Sequence, residues 1–208
     1  MTKKLFTLLV LSLFTIIMLV SCGGNSTDPL CPPDGTDTTV TSEEWTKAVT
    51  LEGYDSFTFD WTVNYEESED SAVVESANEF GTFKYNNLNY SESSNEGYVT
   101  NDTLYQKPST ILNVIRESSL SEFFDSEYFS LNYEDWEYDE SIKAYTYTIT
   151  KEFGETVKEV NNIEINIYFS DKAIYSISYS HYVTEPGFSA SIITSIIFSN
   201  WNATTVEQ

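Results

Sequence analysis

Four kinds of residue in this sequence could do chemistry: two cysteines, one histidine, 33 carboxylates and a high density of aromatic rings. The thiols of Cys22 and Cys31 are potential nucleophiles or metal ligands. His181 is the lone imidazole, and no serine sits in a Gly-x-Ser-x-Gly elbow, so a Ser-His-Asp relay is not expected. Among 33 acids some pair will always stand at the spacing that glycoside hydrolysis needs, so their number points to nothing. The densest run is Glu134-Asp135-Trp136-Glu137-Tyr138-Asp139-Glu140. Its alternating Asp135, Glu137 and Asp139 have the carboxylates of a calcium loop without its sharp-turn glycine or spaced terminal Glu, so a solvated turn is expected. No glycine-rich phosphate loop is present. The expectation is a non-enzymatic protein with no metal site and no cofactor.

The chemistry that the residues do support is at the amino terminus. Lys3-Lys4 precede an apolar run from Leu5 to Val20, then Ser21-Cys22-Gly23-Gly24. A basic start, an apolar segment and a small-residue exit mark a secretory signal peptide, and the run is shorter than the ~20 residues that span a bilayer. Leu19-Val20-Ser21-Cys22 resembles the lipobox of bacterial lipoproteins. That resemblance implies cleavage before Cys22 and attachment of a diacylglyceryl group to its sulfur, with further acylation of the palmitate type. Two acyl chains on one residue suffice for stable anchoring where one does not. The implied location is the extracytoplasmic side of a cell membrane or outer membrane. With Cys22 alkylated, Cys31 has no partner in the chain and is expected as an exposed free thiol beside Pro32-Pro33.

Removing residues 1–21 takes away Lys3 and Lys4 and moves the formal charge from −23 to about −25. Such a chain has no basic stripe for nucleic acid and is repelled by anionic surfaces. Acidity at this level can mean disorder, but 13 Phe, 15 Tyr and 4 Trp supply a core. Residues 22–41 have almost no large apolar side chains and contain several Pro and Gly, so a flexible tether is expected, with a reach of roughly 25 Å. Residues 42–208 form the expected folded domain.

The domain opens on a helix signal: Thr41 and Glu44 can form a capping box, Trp45, Ala48 and Val49 share a helical face, and Gly53 ends it. Strands follow. Phe57, Phe59, Trp61, Val63 and Tyr65 alternate with Thr58, Asp60, Thr62 and Asn64. The acidic run 66–70 reads as a turn. A second strand is expected over 72–85 with a bulge at Gly81, and a third over 97–106. Pro108, Ile111, Leu112 and Ile115 indicate a helical insertion that continues through Leu120, Phe123 and Phe124 to about 125. Strands resume over 129–133, 144–150, 163–169, 174–182 and 188–200, with turns at 161–162, 170–172 and 185–187. Hairpin-linked strands of this kind predict a mainly β (α+β) domain: a single curved antiparallel sheet or half-barrel, with a short N-terminal helix and a mid-chain helical insertion.

That order of elements, ending Phe198-Ser199-Asn200-Trp201-Asn202, is similar to the lipoprotein-carrier fold of the LolA and LppX type. The resemblance implies a half-barrel that holds lipid in its hollow. Phe57, Phe59, Trp61, Tyr147, Ile165, Ile167, Tyr175 and Tyr179, with Ile177, would line the hollow, or else pack as ordinary core. The expected partners are a membrane, through Cys22, and an apolar small molecule such as a lipid. The alternative is a surface display module that binds protein or polysaccharide through an acidic, Tyr-rich exterior near Trp136.

Overall fold

A computed structural model describes residues 28–51, 53–86, 89–95, 97–100, 110–115, 130–153 and 159–206. Helix α1 (Ser42–Val49) forms where the sequence places it: Thr41 Oγ1 accepts from the Glu44 amide, and the Glu44 carboxylate accepts from the Thr41 amide. The capping box therefore satisfies amide groups that a helix start would otherwise leave without partners.

The nine strands among the described residues are β1 (Ser56–Glu69), β2 (Ala72–Asn86), β3 (Asn89–Ser94), β4 (Gly97–Thr100), β5 (Glu137–Asp139), β6 (Ala144–Phe153), β7 (Glu159–Ser170), β8 (Ala173–Glu185) and β9 (Phe188–Ser199). They make one open sheet in the order β4-β3-β2-β1-β9-β8-β7-β6-β5, antiparallel throughout. The protein is thus mainly β, as expected. It consists of two meanders whose first and last strands pair in the middle, Trp61 standing opposite Ile196.

Tight turns set the registers. Asp70-Ser71 and Asp171-Lys172 each place two consecutive residues at positive φ, the mirror-image turn that matches strand twist. Gly187, at φ +84°, follows Pro186 in the β8–β9 turn.

Several expected boundaries move. The run Glu66–Glu69 continues β1 instead of turning, because β2 and β9 on either side saturate its backbone. Asn161-Asn162 likewise lie within β7 between β6 and β8. Gly81 stands in regular register opposite Trp61, and the bulge on this hairpin falls between Glu67 and Ser68. β3 was not anticipated, so the helical insertion follows a fourth strand. Of that insertion the described part is α2 (Ile111–Ile115), and residues 116–125 lie outside the described residues, as do 101–106 of the expected third strand. Residues 130–132 are irregular and Tyr133–Asp135 form a 3-10 turn, where a strand was expected.

The expected tether is, in its described part, a strap around one end of the sheet. Leu30 and Cys31 pack with Ala144, Tyr168 and Ile142 on one face, and Ser176 Oγ donates to the Leu30 carbonyl at 2.5 Å. Asp37 then meets the β7–β8 turn, its carbonyl accepting from the Asp171 amide at 2.9 Å. On the other face the Val40 amide donates to Tyr145 Oη, and that hydroxyl donates to the Val40 carbonyl, both at 3.0 Å. Three apolar residues in this polar segment are enough to dock it. Cys31 is correspondingly not an exposed free thiol: it is 8% exposed and disulfide-bonded.

Candidate functional site

The alternation of β1 places Phe57, Phe59, Trp61 and Val63 on an inner face, under α1 and α2, and Thr58, Asp60, Thr62 and Asn64 on an outer one. Inward residues of the other strands extend the inner face across the sheet. Of the expected site residues, Phe57, Phe59, Trp61, Ile165, Ile167 and Tyr179 meet in one buried cluster. Tyr147 is half-buried against its edge. Tyr175 does not join. Tyr168 pairs with Ser176 and Phe169 with Ile174, so Tyr175 is the extra residue of a bulge, and Ile174 takes the inward place.

This inner face has a graded composition. Over β1–β3 and β9 stand rings: Phe59 and Phe83 have centroids 4.9 Å apart, and Phe198 stacks on Trp201 at 4.9 Å. Over β5–β7 stand Trp45, Trp136, Tyr145 and Phe169, with Trp45 5.1 Å from Trp136 and 5.2 Å from Tyr145. Between these walls lies an aliphatic floor of Ile165, Ile167, Ile177, Ile192 and Ile196. Trp45 closes it from α1, with its indole N–H donating to the Leu131 carbonyl at 2.8 Å. The role of Trp45 could have been read from the helix pattern; that of Trp136, set in an acidic run, could not. Trp136 is only 6% exposed, so it does not offer the exposed ring that would favour the display-module alternative. Its neighbours Asp135 and Asp139 accept from Asn132, Ser130 and Ser141, so they brace their own turns.

Polar groups on the floor are few. Tyr179 stands opposite Thr194, and burial pushes its hydroxyl pKa up to about 12. The fully buried Thr194 Oγ1 has no hydrogen-bond partner among the described residues. His181 lies half-buried between Ile163 and Ile192 across the strands. Away from α1, Tyr65, Tyr147 and Ile149 continue the apolar surface with partial exposure. Among the described residues no three His, Cys, Asp or Glu side chains are grouped to hold a metal ion. Cys22, the expected lipidation site, lies outside the described residues.

No protein-family model and no curated protein matches the chain. Among solved structures, a LolA superfamily protein from Nitrosomonas europaea is similar over 81% of this chain and 96% of its own, at 7% identity and a TM-score of 0.22. So distant a likeness carries no argument here. The architecture rests on the strand pairing above.

Proposed function

We propose that the protein is a non-enzymatic, lipid-anchored extracytoplasmic lipoprotein that binds an apolar ligand, with lipid the leading class, against the inner face of its sheet in the manner of LolA-type carriers. The observation that supports this is the aliphatic floor between aromatic walls, which runs on past α1 as Tyr65, Tyr147 and Ile149. Mostly apolar surface with a few placed hydroxyls is the usual lining of a small-molecule site. Each buried residue also serves as core, so ligand binding would use the partly exposed end of the strip.

The test is to purify residues 23–208 without detergent, extract the protein with organic solvent and weigh the extract by mass spectrometry. A stoichiometric lipid supports the reading. A lipid-free extract, together with no thermal shift on adding fatty acid or phospholipid, overturns it.

The anchor is tested separately. The sequence contains two cysteines, and acylation of Cys22 excludes a disulfide between them, so the lipidated form carries Cys31 as a buried thiol. Intact mass of the membrane-extracted protein should show the acyl mass, lost in Cys22→Ser, and one thiol that reacts only after unfolding.

A further inference from the structure

We infer that the outer face of β1–β3 carries a binding site for a neutral saccharide, seated on the ring of Phe80. This site lies on the opposite side of the sheet from the apolar floor and does not depend on it.

Phe80 points outward from β2 and is 53% exposed in the middle of a polar face. A single exposed aromatic residue needs no explanation by itself. Here it forms one wall of an open cleft of about 420 Å3, a volume in the range of small-molecule sites. Thr62 stands opposite Phe80 on β1, and Asp60 stands opposite Thr82 one step along. Ser93 of β3 stands opposite Thr82 on the other side. The ring is thus surrounded by short hydroxyls and one carboxylate on three adjacent strands.

Three hydrogen bonds hold this arrangement. Thr82 Oγ1 donates to Asp60 Oδ1 at 2.5 Å, which orients the carboxylate and leaves its second oxygen to accept from a ligand hydroxyl. The Phe80 amide donates to Asn95 Oδ1 at 3.2 Å, and the Asn95 amide donates to the Phe80 carbonyl at 3.1 Å, closing the end of the β2–β3 hairpin behind the ring. Gly81 lets the strands approach at this point. A Cβ there would stand 2.5 Å from the Ser93 carbonyl oxygen and 2.7 Å from the Trp61 ring.

The chemistry selects the ligand class. A flat apolar ring beside donors and acceptors matches a pyranose, which presents C–H groups on one face and hydroxyls around its edge. A lipid tail would leave the hydroxyls and carboxylate without partners. A nucleobase could stack, but its phosphates would meet a chain of net charge −23. The same charge disfavours sulfated or uronic polymers, so the saccharide is neutral.

The experiment is saturation-transfer NMR and calorimetry on the full chain with four probes: oligosaccharides of glucose (β-1,4 and α-1,4), N-acetylglucosamine and mannose. At least one should bind with Kd of about 1 mM or tighter. Phe80→Ala should weaken that binding by at least about tenfold, and Phe80→Trp should retain it. Asp60→Asn should weaken it with the melting temperature unchanged. Val73→Ser, at an exposed residue of the same strand away from the cleft, should leave binding intact. No transfer from any of the four probes overturns the proposal. So does a Phe80→Ala protein that melts and binds like the parent.

Discussion

The two faces of this sheet share every backbone hydrogen bond, yet their side chains do opposite things. The inner face is large and apolar, from Phe57 and Phe198 through Ile165 to Trp136, and is closed by Trp45 and by Ile111, Val114 and Ile115 of α2. The outer face presents Asp60, Thr62, Thr82 and Ser93 around one exposed ring on β1–β3, and is covered by Leu30 and Cys31 near the β7–β8 turn. The same period-two alternation produced both. Burial commits the inner residues to one another, while the outer ones remain free to meet solvent or a ligand.

The inner face depends most on Trp45. It is fully buried and touches Tyr133, Trp136, Tyr145 and Phe169, so Trp45→Ala should cost about 3–5 kcal/mol in urea denaturation. A loss below ~1 kcal/mol would mean that α1 does not close the inner face.

Gly81 connects the two faces, since a side chain there would strike Trp61 on one strand and the Ser93 backbone on the other. Gly81→Ala should cost about 1–3 kcal/mol by thermal melting and shift the tryptophan fluorescence. An unchanged emission maximum would show that the indole does not rest on Gly81.

Thr194 sharpens the contrast from the other direction. Replacing its hydroxyl, which has no hydrogen-bond partner among the described residues, by the methyl of Val should stabilise the protein by about 1 kcal/mol through relief of desolvation. A destabilised Thr194→Val would mean that this hydroxyl has a partner on the inner face.

The smallest effects are at the strap. Lys172 and the Thr41 amide and hydroxyl hold the half-buried Glu44 carboxyl down at about 2, below its ordinary 4.5. A depressed acid stabilises the folded state above its unfolded pKa and loses that contribution as pH falls, here between about 4.5 and 2. The acid limb of a stability–pH curve should therefore flatten slightly in Glu44→Gln. At the alkaline end, burial raises Tyr168 and Tyr179 to about 12 from 10, so the stability they contribute is lost as pH rises through that window. Tyrosinate absorbance should show these rings ionising with unfolding. Full ionisation before unfolding would refute their burial.

Local signals in the sequence translated directly into structure. The Thr41–Glu44 box, the alternation of β1 and the two-residue turn at 171–172 each depend on residues within one element, so a linear reading finds them. Glu66–Glu69, Asn161 and Asn162 misled because charge and amide side chains suggest turns, whereas strand neighbours on both sides decided the backbone. Tyr175 had the right parity for the inner face until a bulge moved it out. Six of the eight expected inner residues were found together, but the outer cleft was missed entirely, because Phe80 lies in a stretch whose only visible feature was Gly81.

Local pattern was enough to read the composition of each face, the opening helix, most strands, and the lipobox-like Leu19-Val20-Ser21-Cys22 that motivates the anchor. Side-chain size and two-residue periodicity are properties of the chain and survive any arrangement of it. Long-range packing pairs β1 with β9, wraps residues 28–41 against the sheet, buries Trp136, and brings Asp60, Phe80 and Ser93 to one cleft. These depend on contacts between residues far apart in sequence, and such contacts are chosen by the free energy of the whole fold, not by any local pattern.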